Sequence, residues 1–198
     1  MGDSAATRER ILDAATVEFA DHGIAGARVD RIAARARANK SLIYSYFGNK
    51  DELFDLVFMS RVDSDVGRTP FDADDLPGYA ARLYDMYLGD PHLVRLLTWA
   101  RLERTPHGAL FADVAERDVE VLAAIADAQR RGVLVEDIES DDLWSMLIAM
   151  AATWAQSAIV YTATESEDHD VHARRRTALS AAVSRAFCAQ VRSPGSLR

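Results

Sequence analysis

Apolar side chains recur every three to four residues along almost the whole of this 198-residue chain. Nowhere does sustained two-residue alternation with β-branched enrichment take over. A chain with that spacing buries its apolar stripes by packing helices against one another, so the fold class expected is all-α. Start and stop signals divide it into about nine helices. Thr7 can cap a first helix whose stripe of Ile11, Ala14, Ala15, Val17 and Phe19 ends at Gly23. Val29 to Ala36 reads as the second, and Lys40 to Phe47 as the third with Asn39 as N-cap. Asn49, followed three residues later by Glu52, is a capping-box pattern opening a fourth.

Gly67 to Asp75, with Pro70 inside it, reads as a loop and hinge. Pro77 and Pro91 stand where a helix admits proline, at its first turn, and open the fifth and sixth helices. A longer helix is expected from about Ala109 to Gly132. The Leu143–Thr164 stretch is 22 residues without a charge, which meets the crude length for a membrane span. Its six alanines and its polar residues, among them Ser145, Thr153, Gln156 and Ser157, favour instead a helix buried on all sides within a protein or subunit interface. A final helix is expected over roughly Val171 to Val191. Met1 to Thr7 has no secretory character, so an intracellular, cytoplasmic protein with no membrane partner is expected. The lone Cys188 excludes an internal disulfide framework and a cysteine-based zinc site.

Charge is concentrated at one end. Residues 28–50 carry Arg28, Arg31, Arg35, Arg37, Lys40 and Lys50 against the single acid Asp30, in a protein of formal net charge −8. Both lysines of the chain lie there. Residues 1–50 come to +2, and the rest to −10. A cationic pair of short helices on an acidic body points to nucleic acid, because a local positive field releases counterions from phosphate. On a helix starting at Lys40, residues 40, 41 and 44 share one face and Ile43 and Phe47 another. The first is polar and suits a major groove; the second is apolar and suits packing against Ile32, Ala33 and Phe19. Lys40 and Ser41 are candidates for base reading, Tyr44 for phosphate. Lys50, at the start of the fourth helix beside its free N–H groups, is a candidate phosphate seat.

The order of residues adds to this. Thr7-Arg8-Glu9-Arg10-Ile11-Leu12-Asp13-Ala14-Ala15, then Phe19-Ala20, Gly23, Val29, Ile32-Ala33, Ala36, Lys40, Ile43-Tyr44, Tyr46-Phe47, Lys50 and Leu53-Phe54 closely resembles the N-terminal domain of the tetracycline-repressor (TetR) family. The resemblance covers about residues 7–54. It implies a helix-turn-helix head at 1–50, a linking helix at about 50–66, and a helical ligand-binding and dimerisation body at 67–198. DNA contacts are then expected from Arg28, Arg37, Asn39, Lys40, Ser41, Tyr44, Tyr46 and Lys50. The chain departs from the family where Gly-Val-Ser usually follows the second helix: here it has Arg37-Ala38-Asn39. It also has Arg28 where a Ser or Thr cap is usual. Both changes bear on which operator is read.

The resemblance further implies a homodimer joined by its last two helices, a pseudo-palindromic double-stranded DNA operator, and release by a small molecule. Ala151, Ala155 and Ala158 would allow close approach at the dimer seam, and Leu179, Val183 and Phe187 would fill it. A small hydrophobic or aromatic effector, of unknown identity, is expected among Tyr84, Tyr87, Trp99, Met146, Met150 and Trp154. No cofactor and no metal is expected, and His92, His107, His169 and His172 read as solvated. No nucleophile–base spacing suggests an enzyme. The alternative is a helical small-molecule-binding protein without DNA-binding activity.

Overall fold

The computed structural model describes residues 2–108, 110, 112–156 and 158–189. Among them nine helices follow one another: α1 (Gly2–Gly26), α2 (Val29–Ala36), α3 (Lys40–Phe47), α4 (Lys50–Arg68), α5 (Leu76–Gly89), α6 (Pro91–Glu103), α7 (Ala112–Arg130), α8 (Ser140–Ala151) and α9 (His169–Phe187). The all-α reading holds. No described helix is long and apolar enough to cross a membrane.

Local signals account for most of the starts. Asn39 Oδ1 accepts from Leu42 N at 2.7 Å, and Asp75 and Asp90 cap α5 and α6 by accepting from Gly78 N and Leu93 N. The capping box at α4 is complete: Asn49 Oδ1 accepts from Asp51 N and Glu52 N, while Glu52 Oε2 accepts from Asn49 N. Thr7 does not cap. It lies inside α1, where its hydroxyl accepts from Arg10.

Two apolar cores organise the chain. One joins Ile11, Phe19, Ile32, Ile43, Phe47, Phe54 and Phe58 of α1–α4 with Leu96 and Ala100 of α6. The other joins Leu83 and Tyr84 of α5, Ile125 of α7, Leu147 of α8, and Leu179, Val183 and Phe187 of α9. Helix α6 therefore belongs to the head's core while starting at the body.

Two expected boundaries differ. The uncharged run is not one long helix: α8 ends at Ala151, and the chain reverses through turns until Ala163 N donates to Trp154 O at 2.9 Å. That closure turns Trp154 edge-on to Tyr84 at 5.8 Å between centroids, and leaves Ile159 and Val160 100% and 96% exposed. The last helix ends at Phe187. Leu134 and Cys188 then form an antiparallel bridge, so Cys188 is not helical. Val191 lies outside the described residues, as does Ala109, the expected start of the seventh helix.

Candidate nucleic-acid interface and effector cavity

Helices α2 and α3 meet at a tight turn made by Arg37, which takes φ 52° and ψ 44°. This is the left-handed conformation that closes a helix, and a glycine would adopt it at lower cost. The amides of Arg37 and Ala38 return to Ala34 O and Ala33 O. Beyond it, Ile43 and Phe47 are buried, while Lys40, Ser41 and Tyr44 are exposed, Tyr44 at 48%. Arg28 and Arg37 are also exposed. These five of the eight residues expected at DNA are therefore exposed, three of them cationic.

The other three are engaged inside the head. Asn39 is spent as the α3 cap. Tyr46 is half-buried, its hydroxyl 2.9 Å from Ser4 Oγ, and its ring lies edge-on to Phe47. Lys50 does not sit over free α4 amides, because Asn49 already accepts from Asp51 N and Glu52 N. Its Nζ instead donates to Ala25 O at 3.1 Å and Ala27 O at 3.4 Å, clamping the end of α1. Lys40 Nζ pairs with Asp30 at 2.6 Å. That hydrogen bond raises the lysine's pKa and keeps it charged.

Underneath, Glu18 is buried and ties α1 to α2. Its Oε1 accepts from Arg28 N and Arg31 Nε, both at 2.8 Å. Burial pushes this carboxyl's pKa up, but hydrogen bonds from Arg31 and the Arg28 amide outweigh it and hold it below the ordinary range.

Sequence reading missed the joint between head and body. Gly23 takes φ 72° and ψ 179°, breaking α1 and exposing Ala20 O and Ala25 N. Three side chains on one face of α6 take them up. Arg95 Nε and Trp99 Nε1 donate to Ala20 O at 2.7 and 3.1 Å, and Glu103 Oε2 accepts from Ala25 N at 2.7 Å. Their i, i+4, i+8 spacing was visible; the kink they serve was not. Trp99 thus joins α6 to α1 and does not border the cavity beside Tyr84 and Trp154.

A cavity of about 230 Å³ opens between α5, the first turn of α6 and the turns after α8. Tyr84, Tyr87 and Trp154 line it as expected, with Leu88, Pro91, Gln156, Ala163, Thr164 and Glu165. Met150 is half-buried against the second core, and Met146 points outward, 46% exposed. Neither borders the cavity. Ala151 and Ala155, expected at a dimer seam, are cavity wall. Leu179, Val183 and Phe187 are buried in the chain's own core, so they are not free to fill a seam. Ala158 is half-buried in the turn beyond α8.

Behind Trp154, Arg175 lies 5.7 Å from the indole and 5.0 Å from the Tyr161 ring, paired with Glu167 at 2.8 Å. Burial opposes its charge, but Tyr84, Glu167 and Tyr161 overcome this and raise its pKa. His172 is buried rather than solvated, with Nδ1 2.6 Å from the Tyr84 hydroxyl. Among the described residues no cluster of histidine, cysteine and carboxylate side chains could hold a metal ion.

Known proteins share this arrangement. Residues 11–57 match the family described as bacterial regulatory proteins, tetR family, and residues 75–185 match the tetracyclin repressor-like C-terminal domain. The HTH-type transcriptional repressor SCO4008 of Streptomyces coelicolor is 46% identical over 157 residues, 77% of this chain and 80% of its own. The repressor NicS of Pseudomonas putida is 29% identical over 143 residues, 67% and 68% of the two chains. The crystal structure of putative transcriptional regulator SCO4942 from S. coelicolor superposes with a TM-score of 0.74 at 38% identity, over 91% of this chain and 98% of that one. Matched by both family models over most of its length, and 46% identical to a repressor it covers to 80%, the chain belongs to the tetR family of bacterial transcription regulators.

Proposed function

We propose that the protein is a cytoplasmic, homodimeric repressor that grips a pseudo-palindromic operator with two copies of the α2–α3 head and is released by a small molecule in the body's cavity. The head is taken as residues 1–50, the link as about 50–66 and the body as 67–198. One observation carries the reading: in an acidic protein Arg28, Arg37, Lys40, Ser41 and Tyr44, all from the α2–α3 segment and its lead-in, are exposed. Lys40 and Ser41 read bases, while Tyr44, Arg28 and Arg37 hold phosphates. Lys50 contributes by fixing the α1–α2 corner.

The dimer uses the outward faces of the last two helices. Ser145, Met146 and Ala149 of α8 and Thr177, Ala178 and Ser184 of α9 are exposed, and all but one are short enough for close helix approach. Effector binding acts by preferring a spacing of heads that the operator cannot accept. A mobility-shift titration against the chain's own upstream region tests this. Salt-sensitive, sequence-selective binding is expected, and Lys40→Ala should weaken the best site by about 1–3 kcal/mol and narrow its margin over random DNA. Absence of selective binding there and in a genome-wide selection favours the alternative, a helical small-molecule-binding protein without DNA binding.

A further inference from the structure

The cavity and its neighbour differ from the rest of the surface in how their charges are used. A second void of about 420 Å³ lies beside the first, and Glu165 borders both. The other charged groups of the second void are engaged within the protein. Arg82 pairs with Asp75 at 3.2 Å, Asp85 with Arg176 at 2.8 Å, and Asp90 caps α6 while pairing with Arg61 at 3.3 Å. Glu165 is the exception. No side chain or amide among the described residues pairs with its carboxylate, and it is the one formal charge in the wall of the aromatic cavity.

The same wall holds Tyr84, Tyr87 and Trp154, aromatic rings of the kind whose faces carry negative electrostatic potential. An anion entering here meets a free carboxylate and no free cation. Arg175 does not alter this, because Glu167 neutralises it at 2.8 Å and it borders neither void. Arg175 is itself informative: it is a cation stored against Trp154 and Tyr161 with a glutamate as counter-charge. The cavity wall combines the same two kinds of group, aromatic rings and a carboxylate. We propose that the effector is a small organic cation, a quaternary or protonated amine with apolar substituents, whose ammonium group lies among Tyr84, Tyr87 and Trp154 with Glu165 as counter-ion. The proposal rests on the reading of this cavity as the effector site.

Calorimetric titration of the full-length protein with benzyltrimethylammonium, benzyl alcohol and phenylacetate, at fixed ionic strength, separates the charge classes. The cation is expected to bind at least tenfold more tightly than either counterpart. Glu165→Gln should weaken the cation about tenfold and leave benzyl alcohol unchanged; because Glu165 is exposed, this variant should melt like the wild type. Trp154→Leu should weaken the cation as well. Phenylacetate binding as tightly as the cation, equal cation affinity in wild type and Glu165→Gln, or no cation binding at millimolar concentration overturns the proposal. A cation that binds with this dependence on Glu165 and Trp154, yet leaves operator affinity unchanged, supports the cavity chemistry and removes the effector reading instead.

Discussion

Arg37 shows how one residue can serve the fold and the function in opposite directions. At φ 52° a β-carbon is strained, by roughly 1 kcal/mol relative to glycine, yet the side chain adds an exposed cation to the surface proposed to meet DNA. Arg37→Gly should therefore raise thermal stability by up to about 1 kcal/mol while lowering DNA affinity and flattening its salt dependence by about one charge. Melting curves and salt titrations read the two effects separately. Glu18 is the opposite case, a charge used wholly inside. Its folded pKa lies below the ordinary 4.5, so its contribution is fully present above that pH and is lost as pH falls through the folded value. Glu18→Gln should cost about 1–3 kcal/mol at neutral pH, since it weakens contacts to Arg31 and the Arg28 amide. The gap between wild type and variant should close in acid. A gap independent of pH between 7 and 3 would remove the charge argument.

Among the elements, α6 has the widest reach. Pro91 in its first turn is cavity wall, Leu96 and Ala100 belong to the head's core, and Arg95, Trp99 and Glu103 hold the break in α1. Just past its end, Arg104 pairs with Asp51 at 2.9 Å and with Asp55, both on α4. A shift at the cavity end thus has a rigid helix through which to reach the head. The break itself depends on Gly23. An added β-carbon would lie 2.6 Å from Glu103 Oε1 and 3.0 Å from the Trp99 ring, at a φ that already disfavours alanine. Gly23→Ala should destabilise the protein by at least about 1–2 kcal/mol. Trp99→Phe keeps the ring and the Arg95 contact to Ala20 O, so about 0.5–1.5 kcal/mol is expected from the lost indole hydrogen bond. Denaturant melts rank the two; a Trp99→Phe loss exceeding that of Gly23→Ala would contradict the role given to the kink.

For the molecule as a whole, the separation of cores determines what a second copy can touch. Leu179, Val183 and Phe187 are already buried by α5, α7 and α8, whereas Ala178 faces outward on the same helix. Ala178→Glu should therefore dissociate a dimer without unfolding the chain. Val183→Ala should instead open a hole in the monomer core, at a cost of about 1–3 kcal/mol. Mass in solution, measured alongside melting temperature, distinguishes them. An Ala178→Glu variant that keeps the mass of wild type would move the seam elsewhere.

Periodicity, caps and charge placement were legible in the chain itself, because they are properties of neighbouring residues. Asn39 and Asn49 act on amides two or three positions away, and Ile43, Phe47, Lys40 and Tyr44 are sorted to opposite faces of α3 by helical geometry alone. What the tertiary structure decided concerned partners distant in sequence. The same spacing that makes Trp99 aromatic wall in one packing makes it a donor to Ala20 in another, and Leu179 is seam or core according to where α5 lies. Nor could an uncharged run disclose that it stops being helical at Ala151, since Trp154 turns toward Tyr84 and Arg175, residues 70 positions before it and 21 after. Local geometry is written in adjacent residues, but burial belongs to whichever distant surface arrives first with the better fit.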